Sequence, residues 1–223
     1  MQATPTGREL LEQASAEVAE VERSIREHPF LGALDEGQAP RGALEALAAE
    51  QHLIIPSDRR SFAQLAARFP QDPAGAFFLS MAEGEGLAFG LLHDFAAAVG
   101  VGEERLATYA PSPDCQAYPA FVAWMALNAS STDVALSFLA NLAAWGANCG
   151  RVAEALSQRY GLDDRAVAFF TFFASPPPDF EQRALAVIDA GLQAGDDPAH
   201  AVRATRLLQA YELRFWDGLA AMG

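Results

Sequence analysis

The chain has 223 residues, 51% of them hydrophobic and 20% charged, with 15 basic against 29 acidic side chains and a formal charge of −14. That length can bury a full core, and the acidic balance argues against nucleic acid or an anionic membrane surface as the main partner, since both select a basic footprint. Every basic residue is arginine, so Schiff-base chemistry and a phosphate-loop lysine are both excluded.

Strand signals are nearly missing, whereas three- and four-residue apolar steps recur throughout and alanine is abundant. A first amphipathic helix is predicted over about 6–27 from Leu10, Leu11, Ala14, Val18, Val21 and Ile25, ending at His28-Pro29-Phe30 because the residue before proline disfavours helix. A turn at Asp35-Glu36-Gly37 and Pro40 precedes a second helix over about 41–54, which Pro56 breaks or kinks. Ser57-Asp58 then caps a continuation to about Arg68. A long helix over about 74–99 carries Glu83-Gly84-Glu85-Gly86 in its middle. Two glycines there cost roughly 1 kcal/mol each relative to alanine, which points to close approach or a bend.

After the loop Pro111-Ser112-Pro113, helices are predicted over about 116–128, 132–160 and 163–174. Ser175-Pro176-Pro177-Pro178 interrupts the chain. Asp179 caps a helix to about 194, and a last helix covers about 199–222. The sum is one all-α domain over 1–223 with seven to nine helices. The acidic N-terminus lacks the pattern of a signal peptide, and no apolar run is long enough to span a membrane. Cys115 and Cys149 read as thiols in a reducing cytoplasm. His28, His52, His93 and His200 form no sequence-local zinc pattern, although a metal assembled from distant helices stays open.

Several short motifs then occur in a shared order: His28-Pro29-Phe30, Asp35-Glu36-Gly37-x-x-Pro40, Leu92-His93-x-Phe95-Ala96, Glu103-Glu104-Arg105, Pro111-Ser112-Pro113 and Tyr211-Glu212-x-x-Phe215-Trp216. This order resembles the TenA (thiaminase II) family over most of the chain. Ile55-Pro56-x-Asp58 and Trp216-x-x-Leu219-x-x-Met222 are similar to the related PqqC branch. The resemblance implies a heme-oxygenase-like helical bundle around a small-molecule pocket, assembled as a homodimer or higher homo-oligomer.

The TenA family processes pyrimidines related to thiamin with a cysteine nucleophile, an aspartate, tyrosines and a glutamate. Carried over by spacing, the aspartate falls on Gln51, the cysteine on Leu142 or Ala143, and a tyrosine near Phe173; the glutamate is retained as Glu212. Of the PqqC site, only Arg151 has a counterpart. In the branch that binds two irons, a closing H-x-x-x-D-x-x-H stands where this chain has Phe172-Phe173 and three prolines. Neither a metal nor a cofactor is expected.

Glu212 and Tyr211 are the catalytic candidates, because a carboxyl among aromatic neighbours has a raised pKa suited to proton transfer; an ordinary surface glutamate is the alternative. Glu50 and Gln51 lie where the family lines its pocket and can bond a polar heterocycle. Glu85 and His93 each stand four residues from Phe89 on one helix face. Trp145 and Asn148 share an inward stripe with Cys149, and Phe173 belongs to an aromatic cluster that either stacks on a flat ligand or fills core. The chain therefore reads as binding a small aromatic or heterocyclic molecule and transforming it by acid–base chemistry. The alternatives are a non-catalytic binding or scaffold protein and, behind it, a metal-dependent oxidase of the same fold.

Overall fold

A computed structural model describes residues 4–222. Among the described residues there are ten helices and no strand, one helix more than the upper bound read from the sequence. Two short elements are added to those expected, and the two pieces expected on either side of Pro56 are one helix. α2 (Pro29–Asp35) follows α1 (Gly7–Arg26) at once, because His28 both ends one helix and begins the next: its Nδ1 accepts from the Phe30 amide at 3.2 Å. α5 (Glu103–Thr108) occupies the connection that reads as loop.

The long elements follow their end signals. α1 starts on a reciprocal cap between Thr6 and Glu9, and α7 (Ser131–Tyr160) on the same device between Ser130 and Asp133. α7 stops at Gly161, whose φ of 70° is left-handed. α8 (Asp164–Ala174), α9 (Phe180–Ala194) and α10 (Pro198–Ala220) complete the chain; Asp163 and Asp197 cap α8 and α10. Asp179 stands at the start of α9 without a side-chain capping bond, contrary to its expected role.

Pro56 does not break its helix. α3 runs unbroken over Arg41–Arg68, so Asp58 is an interior helical residue rather than a cap. A proline inside a helix loses one backbone hydrogen bond and costs about 3 kcal/mol. Here Ile54, Ile55, Phe62 and Leu65 are buried on either side of it, and extensive packing against α4 (Ala74–Ala98) outweighs that loss. Gly86 in α4 meets the expectation of close approach: a Cβ there would stand 3.1 Å from the Arg59 guanidinium carbon.

Six helices form a closed ring in which each packs on the next: α3, α4, α8, α7, α10 and α6 (Pro113–Asn128), which returns to α3. Apolar residues gather in two clusters along this ring. One holds Leu47, Ile54, Leu92, Phe95, Cys149, Val152, Phe169 and Trp216. The other holds Leu10, Phe62, Phe77, Phe78, Met125, Leu136, Ile188 and Leu208. Each long helix crosses between clusters over a short interval, between Ile55 and Phe62 on α3, Ala82 and Ala88 on α4, Leu139 and Ala144 on α7, and Leu208 and Phe215 on α10. Among the described residues, no helix is long and apolar enough to cross a membrane.

The Pro111–Pro113 loop is tied to the ring by Glu50, which is fully buried. Its carboxylate accepts from the Tyr109 hydroxyl at 2.8 Å, the Ser112 amide at 2.6 Å and the Gln116 amide group at 2.5 Å. Replacing Glu50 by Ala strands those donors, each of which costs about 1–3 kcal/mol when buried and unmet. Denaturant titration of Glu50→Ala should show a stability loss of roughly 2–4 kcal/mol.

Candidate functional site

A cavity of about 380 Å³ lies inside the ring, at the level where the helices pass from one apolar cluster to the other. Seven aromatic side chains line it: Tyr118, Phe138, Trp145, Phe172, Phe173, Phe180 and Phe215. Trp145 stands 5.9 Å from Phe173 and 6.1 Å from Phe215 between ring centres. The exposed stretch Ser175-Pro176-Pro177-Pro178 forms one edge.

Polar groups enter the wall only at a few points. Glu212 projects from α10 and is 2% exposed. It accepts from the Trp216 indole one turn on, at 3.2 Å, and from the Asn141 amide of α7. Asn141 also donates to Gln209 at 3.3 Å. Burial raises the Glu212 pKa to about 7, against the opposing pull of the Trp216 and Asn141 hydrogen bonds.

A second polar group lies on α3 and α4. Gln51 and Asp58, seven residues apart and so on one helix face, are 2% and 4% exposed. Glu85 joins them from α4. Gln51 Oε1, Asp58 Oδ1 and Glu85 Oε2 are buried without a hydrogen-bond partner, each at a cost of roughly 1–3 kcal/mol. Burial pushes both carboxyls well above the usual carboxylate range, and the Asp58 charge pushes Glu85 further. Tyr118 stands among all three acids: burial holds its hydroxyl protonated, with Asp58, Glu212 and Glu85 adding to the effect.

The structure sorts the residues singled out in the sequence. Gln51, Glu85, Trp145, Phe173 and Glu212 share the cavity wall. Four others lie off it, so they are not brought together with Glu212 around one space. Glu50, adjacent to Gln51, turns about 100° away and binds the loop described above. His93 is exposed, its Nδ1 paired with the Phe89 carbonyl at 2.8 Å. Asn148 donates to the Ile25 carbonyl at 3.3 Å. Tyr211 packs on Phe121, 5.2 Å between ring centres.

Cys149 is buried off the wall, and burial with the nearby Glu212 raises its thiol pKa. Burial likewise pushes the Cys115 thiol up to about 12. Both are therefore poor nucleophiles. Of the two positions onto which the family's nucleophile falls, Leu142 lines the cavity and Ala143 is exposed. Among the described residues, no three His, Cys, Asp or Glu side chains converge as a metal site. Three wall residues escaped the sequence reading, namely Asp58, Tyr118 as an acid neighbour, and Asn141. Asn141 had a legible signal, as the only amide in the mostly apolar stretch Leu136–Trp145.

Comparison with known proteins places these observations in a family. The model of the TENA/THI-4/PQQC family matches residues 15–219. Among solved structures, a TenA homologue from P. horikoshii superposes with a TM-score of 0.76 at 15% identity, covering 96% of this chain and 99% of that one. A TenA homologue from Pseudomonas syringae gives 0.77 at 13% identity, covering 93% and 91%. Heme oxygenase-1 from the cyanobacterium Synechocystis, solved with heme, gives 0.68 at 16% identity, covering 93% and 90%. No curated protein sequence matches the chain.

The raised pKa of Glu212 has a consequence for folding. In the folded chain the group keeps its proton to about pH 7, whereas unfolded it releases it near its ordinary 4.5. Between those values the folded state binds more protons, so this residue's contribution to stability falls as pH rises, by on the order of 3 kcal/mol. In denaturant titrations, Glu212→Gln should therefore gain stability relative to wild type on going from about pH 5 to about pH 8.

Proposed function

Because the chain belongs to the TENA/THI-4/PQQC family, we propose that its cavity binds a small, flat, aromatic or heterocyclic metabolite and that Glu212 moves a proton on it. The observation that carries this reading is the placement of a buried carboxyl with a pKa of about 7 on the wall of an aromatic-lined space of about 380 Å³. A group titrating near the working pH can both accept and donate a proton. The cavity volume lies in the range of small-molecule sites, with few polar groups placed to orient a bound ring.

Within this reading the residues divide the work. Trp145 and Phe173 hold the ring between aromatic edges and faces. Asn141 and Trp216 fix the Glu212 carboxyl by donating to its two oxygens, so a bound ligand meets a group already oriented. Tyr118, held protonated among the acids, is a hydroxyl donor on the wall. The chemistry is proton transfer without a covalent intermediate, since the wall position matching the family's nucleophile is Leu142.

That same leucine favours a second reading, a binding protein that kept the pocket and lost catalysis. A thermal-shift screen of pyrimidines, quinones and amino-acid-derived metabolites, followed by assay of each hit for conversion, separates the two. Under the catalytic reading, Glu212→Gln keeps ligand affinity within a few-fold and lowers turnover by about 10² or more. A ligand that stabilises the protein and is recovered unchanged supports the binder, and turnover unaltered by Glu212→Gln removes its assigned role.

A further inference from the structure

Arg183 stands apart from the other charged groups of the cavity. It projects from the first turn of α9, half-buried, and is the only basic side chain on the wall. The early part of α4 holds it in place. Its Nη2 donates to Ser80 Oγ at 2.7 Å and to the Ala76 carbonyl at 3.2 Å. Ser80 acts there as acceptor, because its own hydrogen goes to the Phe77 carbonyl at 2.7 Å. A guanidinium carries five N–H donors. The pair on Nη2 is spent on α4, and among the described residues those on Nε and Nη1 have no protein partner.

The charge of Arg183 is equally uncommitted. Among the described residues no carboxylate forms an ion pair with it. Glu181, on the same turn, is held by Arg8 at 2.5 Å, and Asp179, one turn back, is exposed. On the wall itself, burial pushes Asp58 and Glu85 well above the usual carboxylate range and Glu212 to about 7. In mildly acidic solution these acids keep their protons and carry no charge. Glu85 is moreover five residues beyond Ser80, about 7.5 Å along the helix axis. A chain with a formal charge of −14 thus encloses a cavity whose lasting charge is positive. The prolines of the Ser175–Pro178 edge add no competing amide donor. An anion in this space meets one strong donor group, and partial burial spares the attraction the screening it would suffer at the surface.

We infer that Arg183 is the recognition point for a carboxylate on the ligand, so that the bound molecule is an aromatic or heterocyclic acid with its ring among the aromatic side chains of the wall. A single guanidinium matches a single negative charge. A phosphate monoester brings nearly two, and no second basic side chain lines the cavity to meet the surplus. This assignment rests on the reading of the cavity as a ligand site and goes further by fixing the charge of the ligand and the residue that reads it. None of the family positions carried over from the sequence falls on Arg183.

Calorimetric titration with 1-naphthoate, its neutral counterpart 1-naphthamide and 1-naphthyl phosphate, at about pH 6 where Glu212 keeps its proton, tests the assignment. Wild type should bind naphthoate at least about tenfold more tightly than naphthamide, and more tightly than naphthyl phosphate. In Arg183→Gln the naphthoate-to-naphthamide ratio should fall to about one while naphthamide affinity stays within about threefold. Should that variant fail to fold, Arg183→Met, which keeps the apolar stem, gives the same readout. Equal affinities for naphthoate and naphthamide in wild type, or a preference that survives the loss of the guanidinium, overturns the carboxylate site. Tighter binding of naphthyl phosphate overturns it as well. If naphthamide binds and naphthoate has no advantage, only this inference falls. If none of the three binds, the cavity reading falls with it.

Discussion

The organisation of this protein turns on buried acids at the seam between two apolar clusters. Asp58, Glu85 and Glu212 sit on three different helices at the level where the ring passes from one cluster to the other. A continuous core could have closed there with leucines. Carboxyls buried without a cation resist dense packing, because each needs a hydrogen-bond partner or a proton. A hollow at that level follows from the same residues that would act in it.

The polar groups outside the hollow differ in kind. Glu50 is as buried as any acid in the chain, yet three donors from the α5–α6 connection and the first turn of α6 surround it. Asn148 and His28 are likewise matched to backbone groups, of Ile25 and Phe30. Satisfied polar groups of this sort fix register and loop position. The unsatisfied ones are confined to the cavity wall on α3 and α4, apart from Asp133 Oδ1 at the start of α7. The distinction between the two kinds of buried polarity lies in whether the protein itself supplies the partner, and burial alone would have merged the two sets.

Much of the fold was legible in the sequence because helix ends are local events. Thr6, Ser130, Gly161 and Asp197 announce their caps within three or four residues. Pro56 misled because its local cost is outweighed by packing along α3, and that error also turned Asp58 from a wall residue into a supposed cap. The site was legible where polarity interrupts an apolar stripe, as at Glu212 and Glu85. It was not legible to within one residue. Glu50 beside Gln51 and Tyr211 beside Glu212 show why, since neighbours on a helix diverge by about 100° and periodicity alone leaves the inward one unsettled. Tyr118 needed the third dimension, because its acidic neighbours come from α3, α4 and α10.

The edge at Ser175-Pro176-Pro177-Pro178 sets how adaptable one side of the cavity is. Three successive prolines carry no amide hydrogen and have φ held near −65°. That threshold offers no backbone N–H to greet a phosphate or a carboxylate, and it resists being reshaped by a visitor. The flanking Phe172, Phe173 and Phe180 rings line the same space, and side-chain rotations are much faster than backbone rearrangements. The cavity thus has a conformationally stiff edge set beside mobile aromatic rings, and the positive group of the wall, Arg183, stands near that edge in a side chain rather than in the backbone.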